Sequence, residues 1–212
     1  AMRQRLLIGS NNQKKLTELE ALASSLSLDI ISPSDCPDPL PEVDEDGDSF
    51  LENAIKKAIA FSKFAEERIG NDVWALADDS GLCVDALNGE PGIYSARYAN
   101  SKGANRDQEN NEKLLKQLTG IPNEQRTASF WCIIAIAYRG EVLLAVEGSV
   151  QGRILEKAKG KYGFGYDPLF YHVESQQSFA EMAREHKEKI SHRGNAIEKL
   201  KYALANILPR HA

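Results

Sequence analysis

Apolar residues recur along the chain with two spacings, continuous runs that are typical of buried strands and three-to-four-residue intervals that are typical of helices. The runs predict strands over residues 5–10, 28–32, 73–77, 82–86, 127–138 and 141–150. The helical intervals predict helices over residues 16–26, 49–69, 107–118 and 195–208. Because strands alternate with helices, we predict an α/β fold with a mixed sheet.

Local signals set several boundaries of these elements. Ser49 and Glu52 have the spacing of a capping box at the start of the second helix. Arg139 and Gly140 separate two long strands and predict a hairpin. Residues 33–47 are rich in proline and acid and predict a loop.

The amino-acid composition indicates the class of protein. The chain has 212 residues, 42% hydrophobic and 27% charged, and these values exclude a collagen, a coiled-coil rod and wholesale disorder. We expect one folding unit. The longest apolar run, residues 130–138, is well short of the roughly 18 residues of a membrane span, so we expect no membrane partner and a cytoplasmic location. The cysteines are widely spaced and predict neither a disulfide framework nor a zinc site.

The net charge of -5 argues against a nucleic acid polymer as partner, and any anionic ligand must therefore be held locally. Acidic residues crowd the segment from Asp35 to Asp48, which contains no Lys or Arg. A solvated loop is the ordinary interpretation of such a segment. Alternatively, Glu45 and its neighbours could supply oxygen ligands to a hard cation, although the spacing does not fit an EF-hand.

Two basic segments lie at predicted helix N-termini, where the helix dipole disfavours cations. Lys14 and Lys15 follow the first strand in the segment 10–15, and Lys187, Lys189, His192 and Arg193 precede the last helix. Each segment could bind phosphate at the helix terminus or could be a solvated basic turn. Neither has the spacing of a Walker loop.

Asp78 and Asp79 follow the apolar strand 73–77 directly. A carboxylate at the end of such a strand can bind Mg²⁺ or act as a general base on water. The alternative is a turn in which Asp caps backbone N–H groups. Lys57 lies on an apolar helix face and either extends toward solvent or reaches into a phosphate pocket.

The glycine-rich segment 160–168 places Phe164 between two glycines. Such a loop allows the backbone to approach a ligand and an aromatic ring to stack on a base. A tight turn with core-packed aromatics is the alternative. Taken together, cations at two helix N-termini, a carboxylate cluster and this loop are consistent with a nucleoside triphosphate site that has a hydrolytic centre.

The sequence resembles the inosine triphosphate pyrophosphatase family from Ser10 to about Leu208. The resemblance rests on these segments in order: Ser10-x-Asn12-x-x-Lys15, residues 50–54 with Lys57, residues 77–82, residues 91–98, residues 164–168 and residues 191–194. It implies two lobes flanking a long central nucleotide-binding cleft, a single domain over residues 1–212 and a homodimer. It also implies Mg²⁺-dependent hydrolysis of ITP, dITP or XTP to the monophosphate and pyrophosphate.

The resemblance further implies roles for individual residues. Asp79 would be the catalytic base, with Glu45 and Asp79 at the metal. The triphosphate would be held by Ser10, Asn12, Lys15, Lys57 and Ser80. The nucleoside would be surrounded by Phe164, Gly165, Tyr166, Asp167, Lys187, His192 and Arg193.

Selectivity would follow from the 6-keto group that hypoxanthine and xanthine carry where adenine has an amino group. A donor such as Arg193 aimed at that position would be left unpaired by ATP. Two other functions stay open: a non-catalytic nucleotide-binding module, which does not need the carboxylates, and a metal-dependent phosphomonoesterase, which would release orthophosphate.

Overall fold

A computed structural model describes residues 3–208. The strands are β1 Gln4–Ile8, β2 Leu28–Ile31, β3 Val73–Val84, β4 Thr127–Tyr138, β5 Glu141–Ile154, β6 Phe170–His172 and β7 Gln177–Ser178. The helices are α1 Gln13–Ala23, α2 Phe50–Arg68, α3 Arg106–Gln117, α4 Arg184–Ile190 and α5 His192–Ala205.

The strands form a seven-stranded sheet in the order β2-β1-β3-β4-β5-β6-β7. β1 pairs in parallel with β2 and β3, whereas β6 pairs antiparallel with β5 and β7. The mixed α/β fold predicted from the sequence is therefore confirmed. No helix among residues 3–208 combines the length and apolarity needed to cross a membrane.

The described chain divides into two compact units. The first contains residues up to 79 together with 132–148 and those from 193 onward, and the second contains residues 80–131 and 149–192.

In the first unit, helices cover both faces of the parallel strands. Leu6, Ile8 and Leu76 pack in one buried cluster with residues of α1 and α5. Leu7, Ala75 and Ala77 pack in another cluster with residues of α2. Successive strand side chains point to opposite faces, so consecutive residues of β3 face different helices.

In the second unit, an aromatic cluster forms the core. Phe130, Phe170 and Phe179 are buried and pack against one another, with ring centroids 4.5–5.7 Å apart. The guanidinium of Arg126 is also buried, and it donates hydrogen bonds to backbone carbonyls.

The structure differs from the sequence prediction most in two places. β3 is one continuous strand, and its central acidic residues lie inside it instead of in a turn between two strands. The C-terminal helix begins at His192, three positions earlier than predicted, and Lys187 belongs to α4, a separate short helix. The hairpin at Arg139 and Gly140 is confirmed, since both residues have positive φ.

Candidate functional site

Two neighbouring carboxylates, Asp78 and Asp79, lie within β3 and are both buried, with 2% and 7% of their surface exposed. Their side chains point to opposite faces of the sheet because they are consecutive in a strand. Asp78 faces the side covered by α1 and α5, and Asp79 faces the side covered by α2. Different cations therefore contact the two carboxylates, Lys15 and Arg193 at Asp78 and Lys57 at Asp79.

Asp78 is surrounded by three donors. Its Oδ1 lies 3.4 Å from Lys15 Nζ, and its Oδ2 lies 3.5 Å from Arg193 Nε and 3.7 Å from the thiol of Cys132. Burial alone would raise the pKa of Asp78, but the charges of Lys15, Arg193 and Lys57 outweigh it and lower the pKa. Asp78 is therefore a buried anion that fixes two of the cations predicted from the sequence.

The start of α1 positions Lys15. Asn12 is the N-cap residue, and its side chain accepts a hydrogen bond from the Lys15 N–H at 3.1 Å. The Ser10 hydroxyl in turn accepts from the Asn12 N–H at 3.2 Å. Ser10, Asn12 and Lys15, which the sequence analysis selected together, thus form one hydrogen-bonded turn.

Arg193 lies in the first turn of α5, between two carboxylates. Its Nη1 is 3.2 Å from Oε1 of Glu18 on α1, and its Nε faces Asp78. Sequence reasoning missed Glu18 and Asp78 as partners of Arg193. Only their helical and strand positions, which a linear motif does not contain, could have indicated these contacts.

Asp79 belongs to a second charge cluster, with Lys57 and Glu45. Lys57 Nζ lies 2.6 Å from Glu45 Oε1 and 3.6 Å from Asp79 Oδ1. Burial would lower the pKa of Lys57, but the charges of Asp78, Asp79 and Glu45 outweigh it and raise the pKa. The lysine is therefore a cation held among three carboxylates, and it is not directed into solvent.

Burial raises the pKa of Asp79 to about 6, against the opposing charges of Lys57 and Lys15. Its Oδ2 is buried and has no hydrogen-bond partner among the described residues. A buried acceptor without a hydrogen-bond partner is uncommon, and it marks a position where a ligand, an ion or a water can bind.

Residues 3–208 contain no group of three or more His, Cys, Asp and Glu side chains arranged to hold a metal ion. Mg²⁺, however, usually binds one or two carboxylates and completes its octahedron with water and substrate phosphate. Asp79 and Glu45, which contact the same ammonium group, are a donor set that fits this requirement.

The second unit contains the residues predicted to surround the nucleoside, except Arg193, and their polar centre is Asp167. Its Oδ2 accepts hydrogen bonds from Lys187 Nζ at 2.7 Å and from the Phe164 N–H at 3.0 Å. Lys187 Nζ also lies 5.3 Å from the centre of the Phe164 ring. Phe164, Asp167 and Lys187 therefore form one cluster.

Helix α3 holds the turn that contains these residues. Asp107 accepts a hydrogen bond from the Gly165 N–H at 2.9 Å, and the Asn111 amide donates to the Gly165 carbonyl at 3.0 Å. Gly165 has φ 62°, a conformation that favours glycine. Sequence reasoning did not identify Asp107 or Asn111 in this role, because their spacing to the loop is visible only in the fold.

The second unit also contains three further predicted residues. Tyr166 is buried, and its hydroxyl donates to the Ser95 carbonyl at 2.6 Å. The His192 ring stacks on Phe130 with centroids 4.6 Å apart. Ser80 follows Asp79 in β3 and is half-buried.

Comparison with known proteins gives a family for this arrangement. The model of the Ham1 family matches residues 6–203. A protein of Leuconostoc mesenteroides named dITP/XTP pyrophosphatase is 48% identical over 198 residues, which cover 92% of this chain and 94% of that protein. A protein of the same name from Clostridium perfringens is 45% identical over 206 residues, covering 97% and 99% of the two chains.

Solved structures agree with the sequence matches. A HAM1 protein from Coxiella burnetii has a TM-score of 0.81 and 36% identity, covering 95% of this chain and 98% of that one. The Staphylococcus aureus Ham1 protein has a TM-score of 0.79 and 40% identity, covering 96% and 99%. With a family match over nearly the whole chain and relatives well above 30% identity, the chain belongs to the Ham1 family.

Proposed function

We propose that the protein hydrolyses the non-standard purine nucleoside triphosphates ITP, dITP and XTP to the monophosphate and pyrophosphate, with Mg²⁺. The observation that carries this proposal is Asp79, a buried carboxylate with a pKa of about 6 and one oxygen without a hydrogen-bond partner. The name dITP/XTP pyrophosphatase of the relatives supports the substrate class.

Asp79 is suited to activate water as a general base. A carboxylate with a pKa of about 6 is ionised at neutral pH and is a stronger base than an ordinary aspartate. In the proposed step, water gives its proton to Asp79 and its oxygen bonds to phosphorus. The P–O bond to the leaving pyrophosphate breaks, and the electron pair of that bond stays on the pyrophosphate oxygen.

The cations of the first unit would bind the triphosphate. Lys15 and Lys57 are held by Asp78, Asp79 and Glu45, so their ammonium groups are preorganised. Ser10 and Asn12 add a hydroxyl and an amide group close to Lys15 in sequence, and Ser80 adds a hydroxyl group next to Asp79. Preorganised charges of this kind stabilise the charge that develops on the phosphoryl oxygens.

Asp79 and Glu45 would hold Mg²⁺. When bound, Mg²⁺ neutralises charge on the phosphate oxygens. Lys57 keeps the two carboxylates close together, since its ammonium group contacts both.

The cluster of the second unit would bind the nucleoside. Phe164 offers a ring face for stacking, and Lys187 is fixed beside it by Asp167. Gly165, Tyr166, His192 and Arg193 complete the set that the family resemblance implies. A hydrogen-bond donor directed at a 6-keto group would accept hypoxanthine and xanthine and be left unpaired by adenine.

Three finer statements stay predictions within this proposal. We propose that residues 1–212 act as one pyrophosphatase domain, that the active species is a homodimer and that it works in the cytoplasm.

The test incubates the purified protein with ITP and Mg²⁺ and measures pyrophosphate and orthophosphate separately, with XTP, GTP and ATP in parallel. Pyrophosphate from ITP that is lost in Asp79→Asn is the expected result. Asp72→Asn, an exposed aspartate that pairs with Arg5, is the matched control and should retain activity.

Two outcomes would overturn the proposal. Orthophosphate as the first product would identify a phosphomonoesterase. Binding of ITP without any product would identify a nucleotide-binding module. Omission of Mg²⁺ with EDTA tests the metal requirement separately.

A further inference from the structure

The backbone on both sides of Phe164 is held by carboxylates that come from different parts of the second unit. The Phe164 N–H donates to Asp167 Oδ2 at 3.0 Å, and the next N–H, that of Gly165, donates to Asp107 Oδ2 at 2.9 Å. Asp167 lies in the same loop, whereas Asp107 lies in the first turn of α3. Because hydrogen bonds to a carboxylate are stronger than those between neutral groups, both peptide groups that flank Phe164 are fixed.

Helix α3 holds Gly165 at a second point. The Asn111 amide donates to the Gly165 carbonyl at 3.0 Å. Asp107 and Asn111 are one helical turn apart and therefore lie on the same side of α3. Gly165 has φ 62°, a conformation that residues with a side chain rarely adopt, and the two contacts from α3 maintain it.

The contact made by Asn111 adds little to the stability of the fold. Its other amide atom, Oδ1, is buried and has no hydrogen-bond partner among the described residues. Protein groups thus satisfy only one end of this amide, and burial of the other end offsets what the hydrogen bond contributes. Because conflicts of this kind are expected at functional sites, the orientation of Gly165 explains the Asn111 amide better than stability does.

The ring of Phe164 is the part of the loop that this arrangement orients. Lys187 Nζ lies 5.3 Å from the centre of the ring, within the range of a cation–π contact. A methyl group placed on Gly165 would meet no atom within 4 Å, so the space beside this position is open. A ring whose backbone is already fixed can stack on a flat ligand at a reduced entropy cost.

We propose that Asp107 and Asn111 are positioning residues of nucleotide binding, which act through Gly165 on Phe164 and present its ring to the purine. This inference rests on the proposed function, in which Phe164 stacks on the base. Neither residue is assigned a contact with the substrate or a part in the hydrolytic step. Their loss should therefore weaken nucleotide binding and leave the chemical step unchanged.

The first test replaces Asn111 by leucine, which has a similar volume and cannot donate to the Gly165 carbonyl. We expect the KM of ITP to rise by about two- to tenfold, the range that ordering one side chain contributes to an affinity, with kcat unchanged. The KM of XTP should rise by the same factor, because stacking does not distinguish purines. The melting temperature should not fall, since Asn111→Leu also removes the unpaired acceptor.

Gln108→Leu is the matched control. It replaces another amide side chain of α3, which donates to Glu112 on the exposed side of the helix, and it should keep the wild-type KM. A lower melting temperature with an unchanged KM in Asn111→Leu would assign Asn111 to the fold alone and would overturn the proposal.

A second pair of variants tests Asp107 without relying on activity. Asp107→Asn keeps an oxygen that can accept from the Gly165 N–H, whereas Asp107→Ala removes it. Hydrogen exchange of the Gly165 N–H in the ligand-free full chain, followed by NMR, should be faster in the alanine variant and close to wild type in the asparagine variant. The KM of ITP should follow the same order.

The outcomes separate this inference from the proposed function. Equal exchange rates of the Gly165 N–H in Asp107→Ala and in the wild type would show that Asp107 does not hold the loop, and would overturn the proposal. Normal turnover of ITP with an unchanged KM in Asp107→Ala and Asn111→Leu would overturn this inference alone. A wild-type protein that neither binds nor hydrolyses ITP would overturn the proposed function and this inference together.

Discussion

Two consecutive aspartates of β3 differ in protonation behaviour because each faces different neighbours. Asp78 has a lowered pKa because the nearby charges of Lys15, Arg193 and Lys57 overcome its burial. Asp79 has a raised pKa because burial dominates over Lys57 and Lys15. Titratable groups whose environments separate their pKa values in this way are typical of acid–base sites.

Asp79→Asn is expected to stabilise the metal-free protein at neutral pH. The pKa of Asp79 in the folded state is about 6, above the ordinary value of 3.8. The protonated side chain therefore contributes fully to the free energy of unfolding below about pH 4, and this contribution is lost as the pH rises through 6. The variant should gain on the order of 2–3 kcal/mol at pH 7, since one pKa unit corresponds to about 1.4 kcal/mol.

Urea unfolding in EDTA at pH 4 and pH 7 measures this gain. The gain should disappear at pH 4, and Asp72→Asn should show no comparable gain at either pH. A gain of equal size at both pH values would mean that it does not arise from the charge of Asp79.

Alanine substitutions at two glycines of the same loop test the packing around the Asp167 carboxylate. Gly163 and Gly165 both have positive φ, 71° and 62°, so alanine introduces similar backbone strain at either position. A methyl group at position 163 would collide with the Asp167 carboxylate, whereas one at 165 would meet nothing within 4 Å.

We therefore expect Gly163→Ala to destabilise the protein more than Gly165→Ala, by about 1.5–3 kcal/mol, the contribution of a hydrogen bond to a charged group. Thermal unfolding of both variants measures the difference. Equal destabilisation would show that the Asp167 carboxylate can move aside without losing Lys187.

At the scale of elements, α3 organises the second unit through polar side chains. Asp107 and Asn111, one helical turn apart, hold Gly165 by its N–H and its carbonyl. Asn110 accepts from the Ala99 N–H and donates to the Ala96 carbonyl. One helix thus fixes two loops that regular secondary structure does not hold.

Arg126 links the end of α3 to the end of β5, and its removal should destabilise the protein. It donates to the carbonyls of Leu118, Ile121, Ile154 and Leu155 at 2.8–3.3 Å. Arg126→Ala should lower the free energy of unfolding by at least about 1–3 kcal/mol, the cost of one buried carbonyl left without a donor.

The matched control is Arg184→Ala, which removes an exposed arginine paired with Glu188. Surface ion pairs contribute about 0–1 kcal/mol, so this variant should unfold almost as the wild type does. Chemical denaturation compares the two, and similar losses would contradict the role given to Arg126.

At the scale of the whole molecule, the elements with strong periodicity were predicted and the polar arrangement between them was not. The long strands β4 and β5 and the helix α2 follow directly from their apolar spacing. Asp78 and Asp79 have the composition of a turn, and the local pattern predicts them at the end of a short strand, with a turn as the alternative. They lie inside β3 because cations from α1, α2 and α5 surround them, a long-range effect absent from local propensity.

The candidate residues were predicted in part for the same reason. Ser10, Asn12 and Lys15 are close in sequence, so a local motif identifies them together. Glu18, Cys132 and Asn111 act through contacts between distant segments, and a single sequence contains no signal for such contacts.

Ligand binding should raise the stability of the folded chain with the logarithm of the ratio of ligand concentration to dissociation constant. A ligand at 100 times its dissociation constant stabilises the folded state by about 2.7 kcal/mol, which corresponds to a rise of roughly 5–10 °C in melting temperature for a chain of this size.

Asp79→Asn allows ITP itself to serve as the ligand, because the proposed base is absent and turnover should stop. We expect Mg²⁺ with ITP to raise the melting temperature of this variant, and ATP at the same concentration to raise it less, since a donor directed at the 6-keto group stays unpaired with adenine. Pyrophosphate as a third ligand measures how much of the shift in melting temperature the phosphates alone produce. Equal shifts with ITP and ATP would show that the protein binds the triphosphate without discriminating between the two bases.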